Sequence, residues 1–484
     1  MYFLGLDIGT TGAKALLVDD KGRVVSKGYR GYHLISDGAK IEQNADDWVV
    51  YGCAAIRDAM QGTAPEKVAG ISLSTQGAST VAVTQQGRPL GNALTWMDAR
   101  SQPEADELMQ ALGKTYIYRH TGWRITPTLD AAKILYFKRT LPSGEPLMFL
   151  STLEYMNLFL TDQPVSDPSN ACIRQIFDIN TGKYDERILA LIGADAAELP
   201  QIHPTTSLVG GLSGRAAQVT GLLPGTPVYN GAHDQYCASI GAGAAARGEL
   251  MISAGTTWVI LGVDDHPVFS KSFIAPGIHP VAGLYGNMAS LIGSGSSMQW
   301  FKENFVSEPF REIDATAAQR MEKTKNLFYF PYPAGATYPL WNPILRAAFT
   351  GLSLEHDRFD LARAIMEGVA FNVRRTLDDF SQNGFSLRGL RILGGASRSE
   401  FWCSLLASAV QHELLVSSEP DACGMGAAMI AAVGCGAFGS LSAAGAQMAS
   451  PVQKVAPDGA LCPELERKFA EYERMRKHFM AYYA

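Results

Sequence analysis

Two stretches of this chain share one pattern, and that repeat limits the folds open to it. Residues 2–19 read "YFLGLDIGTTGAKALLVD" and residues 248–263 read "GELMISAGTTWVILGV". Each is an apolar strand, a Gly-Thr-Thr turn and a second apolar strand. A chain of 484 residues exceeds what one ordinary core accommodates, so two large domains are expected. The repeat suggests two related domains, each offering a hairpin to a shared cleft. The boundary falls near residue 245, which divides the chain into 1–244 and 245–484.

Between the hairpins, strand and helix patterns alternate, which places the fold in the α/β class. "DKG" at 20–22 turns the first hairpin into a third strand, "RVVSKGY". "WVVYGCAAIRDAM" (48–60), "ADELMQALG" (105–113) and "AAKILYFKR" (131–139) have helical spacing, and "VAGISLSTQ" (68–76) reads as a buried strand ending in polar residues. Residues 225–248 read as a short strand, a turn at His233-Asp234 and a helix of small residues. Residues 387–416 read as strand, Gly-Gly turn and helix, and "CGMGAAMIAAVGCG" (423–436) as a second close-packed small-residue helix.

A formal net charge of −6 leaves no basic footprint for nucleic acid. The seven cysteines are scattered, odd in number and without CxxC spacing, so they read as reduced thiols of a cytoplasmic protein rather than a zinc site. No signal peptide is visible, and no apolar run of ~18 residues marks a transmembrane helix.

The hairpin turns have two readings. Either they are ordinary glycine turns, or their backbone N–H groups and hydroxyls donate to phosphate oxygens. In the second reading Gly9 permits close approach, Thr10 and Thr11 add hydroxyls, and Lys14 adds positive charge. Asp7 ends the strand as a candidate ligand for hydrated Mg²⁺, and Gly255 and Thr256 belong to a matching turn. Asp234 follows a strand and opens a helix, where it is either a helix cap or a base for a substrate hydroxyl attacking a γ-phosphate. His233 reads as packing or turn chemistry. Gly394-Gly395 offers a flat platform for a base and ribose. It lacks GxGxxG, so a nicotinamide site is not indicated.

In order along the chain, these pieces resemble the FGGY family of carbohydrate kinases, in the actin-like ATPase superfamily. "LDIGTTGAK" resembles the first phosphate motif of that family, "EQNADDW" (42–48) its EQ-x-P-x-x-W segment, and "ALTWMDAR" (93–100) its W-x-D-x-R segment. "AHDQ" is similar to the catalytic-aspartate motif and "SAGTTW" to the second phosphate motif. "GSGSSMQWF" (293–301) is similar to a segment flanking the nucleotide. "RAIMEGVAFNVRR" (363–375) resembles the RA-x-x-EG-x-A helix, and "GGASRSEFW" the adenosine motif.

The resemblance implies two ribonuclease-H-like domains flanking a deep nucleotide and sugar cleft. ATP and Mg²⁺ are the implied cofactors, a small sugar or polyol the implied partner, and a homodimer is compatible with it. By position, Asp234 becomes the general base and, with Asp7, a metal-side carboxylate. Thr10, Thr11, Lys14, Gly255 and Thr256 contact phosphates. Gly295, Gly394, Gly395 and Ser399 line the nucleotide site. Thr75, Gln76, Trp96 and Gln235 face the sugar. The sugar side departs from known patterns. Xylulose-directed members of the family read "GQMHG" where this chain has "LSTQG", and follow the catalytic aspartate with asparagine where this chain has Gln235. Glycerol-directed members share aspartate-glutamine but read "QRE" at Ser74-Thr75-Gln76. The family's "GERTP" appears as "GATYP" (335–339), without either charge. Neutral Gln76 and Gln235 suit a neutral polyhydroxylated substrate. Transfer to a terminal hydroxyl of a ketopentose such as xylulose is expected, with another ketose, glycerol or a polyol as the alternative. A sugar-independent ATPase or an inactive sugar sensor on the same fold is the more distant one.

Overall fold

The first hairpin lies within a seven-stranded mixed sheet in the computed structural model, which describes residues 1–142 and 147–483. The strand Tyr2–Ile8 pairs antiparallel with Gly12–Asp19, which pairs in turn with Val24–Gly31. On its other side Tyr2–Ile8 runs parallel to Val68–Thr75, with Asp7 opposite Ser74 and Ile8 opposite Thr75. Pro227–Tyr229 and Leu208–Gly211 complete that edge. Tyr2–Ile8 is almost continuously apolar because both of its faces are covered. Leu4, Leu6 and Ile8 pack with Trp48 and Ile56 of the helix Ala45–Ala59. Phe3 faces the opposite way, toward Met425 and Ala428.

The second sheet repeats the plan. Glu249–Ala254 pairs antiparallel with Trp258–Asp264, and that strand with Tyr285–Leu291. Gly389–Gly394 lies parallel on the other side, followed by Leu414–Ser417. The 25-residue helix Arg358–Gln382 packs on this half, started by an Asp357–Asp360 capping box. Its RA-x-x-EG segment proves to be architectural. Arg363 Nε donates to Glu367 Oε1 at 2.7 Å, Lys468 pairs with the other Glu367 oxygen, and all three side chains are buried.

The two small-residue helices, Asp234–Gly241 and Ala422–Gly434, cross between the sheets. A Cβ on Gly426 would overlap the Cys237 carbonyl, and one on Gly241 the Ala422 carbonyl. Only glycine allows the two backbones to touch at these points. Ala422–Gly434 comes from the second half of the chain, yet it packs on the first sheet, along Tyr2–Ile8 and Val68–Thr75. The expected turn at His233-Asp234 differs in one respect. His233 belongs to a two-residue strand, Ala232–His233, parallel to the end of Val68–Thr75. Among the described residues no helix is long and apolar enough to cross a membrane.

Candidate active site

Three parallel strands of the first sheet end side by side, at the carboxyl edge where α/β proteins place their chemistry. Asp7 stands opposite Ser74, and His233 opposite Thr75, so Asp7, Gln76 and Asp234 leave the sheet as neighbours. Ser74 Oγ donates to Asp7 Oδ1 at 2.7 Å. Burial pushes the Asp7 carboxyl up to about 7; the Ser74 hydrogen bond opposes this and the Asp234 charge reinforces it. Asp234 begins the helix Asp234–Gly241. Burial raises its carboxyl to about 6, and the Gln235 backbone and side-chain amides pull it partway back. His233 Nε2 lies 3.3 Å from Asp234 Oδ1. Burial holds that imidazole at about 4, so it is neutral at physiological pH.

Beside these carboxylates, Thr75 and Gln76 are buried, polar and uncharged. Thr75 is fully buried and its hydroxyl points to Asn170 Oδ1 at 3.4 Å, a supporting contact. The Gln76 backbone N–H donates to the Ile8 carbonyl, and its side-chain Nε2 to Gln43 Oε1 at 2.7 Å. Among the described residues, Gln76 Oε1 and Gln235 Oε1 are buried without a hydrogen-bond partner.

The turn after Tyr2–Ile8 is braced from several sides. Gly9 N–H donates to the Gly12 carbonyl at 3.0 Å, and the Tyr32 hydroxyl donates to the Gly9 carbonyl. Trp96 Nε1 donates to Thr10 Oγ1 at 3.0 Å, which ties this half-exposed indole to the turn. Thr11 is exposed, and its carbonyl accepts the Tyr32 N–H. Lys14 is ion-paired with Asp421, the residue immediately before the helix Ala422–Gly434; Lys27 reaches the other Asp421 oxygen at 3.4 Å.

The second sheet opens onto a cavity of about 1000 Å³, large enough for a nucleotide. Gly255, Thr256, Gly295, Gly395 and Ser399 line it, together with Asp314. Gly295 lies in the first turn of the helix Ser294–Phe305, and a Cβ on it would run into the Gly255 carbonyl, so this helix start presses directly on the turn. Gly394 lies just beneath at φ +97°, a left-handed conformation that permits the sharp exit from the strand. Ser399 caps the helix Glu400–Val410 by accepting the Trp402 N–H at 3.0 Å.

The structure therefore groups the expected residues into two sets: Asp7, Thr10, Gln76, Trp96, Asp234 and Gln235 at the first sheet, and the glycines and Ser399 around the cavity. Ser74, Gln43 and Asp421 were not among the site residues expected from the sequence. Ser74 and Gln43 lie inside quoted motifs, and the alternation of "ISLST" was the one available signal for Ser74. The Asp98 and Arg100 pair serves structure. Asp98 accepts the Ile41 N–H at 2.8 Å, and Arg100 reaches Glu42 at 2.6 Å, which welds the two motif segments together. Two carboxylates beside a turn rich in N–H and hydroxyl donors form a donor set that suits hydrated Mg²⁺ with a polyphosphate.

Comparison with known proteins agrees with this arrangement. Residues 2–241 match the N-terminal domain of the FGGY family of carbohydrate kinases, and residues 250–435 its C-terminal domain. The xylulose kinase of Bacillus subtilis (strain 168) is 27% identical over 484 residues, 99% of this chain and 97% of that one. The gluconokinase of Bacillus licheniformis is 27% identical over 450 residues, 89% and 86% of the two chains. The crystal structure of xylulose kinase from Rhodospirillum rubrum superposes over the whole of both chains with a TM-score of 0.92 at 25% identity. Both domains thus have the actin-like ATPase fold. This chain belongs to the FGGY family of carbohydrate kinases, ATP-dependent phosphotransferases that act on an alcohol group.

Proposed function

We propose that this kinase transfers the γ-phosphoryl group of ATP to a terminal hydroxyl of a small neutral sugar, with a ketopentose such as xylulose foremost. One observation carries the neutral-sugar reading: the unpartnered buried oxygens Gln76 Oε1 and Gln235 Oε1. A buried acceptor without a donor costs about 1–3 kcal/mol. Sugar hydroxyls supply that donor; a sugar acid has such hydroxyls as well, but its carboxylate supplies no proton and is repelled by an acceptor oxygen. The B. subtilis xylulose kinase supports a ketopentose. The gluconokinase is as similar, but the polar groups here (Gln76, Gln235, Asn170 and a neutral His233) offer no cation to a carboxylate. A polyol such as glycerol meets the same two oxygens and is the second reading, favoured by the Asp234-Gln235 pair.

In this assignment Asp234 accepts the proton of the attacking hydroxyl. Thr75 backs the sugar pocket, and Gln76, Gln235 and the exposed face of Trp96 bind the sugar. Asp7, with Asp234, would hold Mg²⁺, which when bound neutralises charge on the transferring phosphoryl group. Thr10, Thr11, Lys14, Gly255 and Thr256 hold phosphates, and Gly295, Gly394, Gly395 and Ser399 shape the nucleotide site. The domains divide at 244/245, in the segment joining Asp234–Gly241 to Glu249–Ala254. Thermal-shift titration tests the assignment. ATP with the right sugar should raise Tm beyond ATP alone. ATP turnover with no response to any sugar overturns the reading in favour of a sugar-independent ATPase.

A further inference from the structure

Gln43 lies between the phosphate turn and the acceptor pocket and is 1% exposed. Its Oε1 accepts from Trp48 Nε1 at 3.1 Å and from Gln76 Nε2 at 2.7 Å, while its own Nε2 donates to the Thr10 carbonyl at 2.6 Å. Both outer ends of this chain have fixed polarity. An indole N–H can only donate, and a peptide carbonyl can only accept. The Gln43 carboxamide therefore has one orientation, oxygen toward Trp48 and nitrogen toward Thr10. Gln76 meets that oxygen, at 2.7 Å, and an oxygen accepts only a donor, so Gln76 must turn its NH₂ inward. That leaves Gln76 Oε1 without a partner, as observed. Thr10 is gripped at a second point, since its hydroxyl accepts from Trp96 Nε1. The Thr10 hydroxyl proton is then directed elsewhere, available to an acceptor outside the turn.

We infer that Gln43 is a positioning residue that sets the polarity of the acceptor pocket: it obliges Gln76 to present a carbonyl oxygen, selecting a hydroxyl-donating substrate, and ties that pocket to the Thr10 peptide of the phosphate turn. The inference rests on the reading of Gln76 as a sugar contact. Trp48 acts one step further back, through its N–H alone; its ring packs in the core of the first domain. The chain Trp48–Gln43–Gln76 converts an otherwise ambiguous side-chain amide into a fixed acceptor, and a hydrogen-bonding group fixed in this way discriminates strongly between substrates.

A double-mutant cycle on the purified full-length enzyme tests this, with the sugar that the wild type phosphorylates best and ATP saturating. Gln43→Met and Gln76→Met should each raise the sugar KM about tenfold or more, with a smaller change in kcat. Because Gln43 acts through Gln76, the double variant should be no worse than Gln76→Met alone. Fully additive losses overturn the inference. Trp48→Phe keeps the aromatic packing and removes only the N–H. It should raise the sugar KM severalfold, an effect that vanishes in the Gln76→Met background; an unchanged KM overturns the relay. If Gln43→Met does not fold, Trp48→Phe decides alone. A wild type that phosphorylates no sugar refutes the proposed function, whereas an active wild type with an additive cycle refutes only the role of Gln43.

Discussion

Replacing Asp234 with asparagine should slow transfer at least a hundredfold and stabilise the ligand-free protein at the same time. Burial raises this carboxyl from 3.8 to about 6. At about 1.4 kcal/mol per pH unit, the whole shift corresponds to on the order of 3 kcal/mol against the charged form in the folded state. A quarter of the side chain is exposed, so water screens part of this and about 1–2 kcal/mol remains. The sign follows from the folded pKa lying above the unfolded one. The cost is absent below about pH 4, appears as pH rises through the folded value, and is complete by pH 8. Asp234→Asn removes the charge at nearly constant shape. Unfolding at pH 8 should show a gain of about 1–2 kcal/mol, and unfolding near pH 4 should show almost none. In parallel, kcat for sugar phosphorylation should fall by about 10²–10⁴, the usual worth of a positioned base. Activity within about tenfold of wild type refutes the assignment of the base. Lost activity with a lower stability at pH 8 refutes the electrostatic reasoning.

The same titration predicts that kcat/KM for the free enzyme rises with pH through about 6, as Asp234 gives up its proton; a flat profile from pH 5 to 8 contradicts it. Gly295→Ala places a methyl group against the Gly255 carbonyl, so the ATP KM should rise about tenfold or more while the sugar KM holds, measurable by competition with a fluorescent nucleotide. Asp421→Asn weakens the hold on Lys14 and should tighten ATP binding severalfold if Lys14 serves the phosphates. Calorimetry that finds unchanged or weaker binding assigns the pair to structure instead.

Local chemistry was legible in the sequence, and pairings between distant segments were not. The turns at 9–11 and 255–257 announced themselves because strand alternation broken by Gly-Thr-Thr has few other outcomes. Asp234 was visible as the residue that starts a helix after a strand. The Lys14–Asp421 pair joins residues 407 apart in sequence, and no local pattern encodes that. The small residues of Ala422–Gly434 declared close packing on all sides, but not that the partner is the sheet of the opposite half. Trp96 was expected to face the sugar; its ring is exposed, and its N–H is committed to Thr10. The Gln43 relay needs three side chains that are brought together only by folding, although Gln43 and Trp48 sit within one recognisable motif.

This kinase should spend its ATP on a neutral sugar. ADP release against a panel of ketopentoses, ketohexoses, polyols, glycerol and gluconate, compared with ATP alone, tests it most directly. A large rise is expected with at least one neutral ketose or polyol, xylulose first among them, and little with gluconate. Release that is the same with and without every compound, or that rises with gluconate alone, contradicts it.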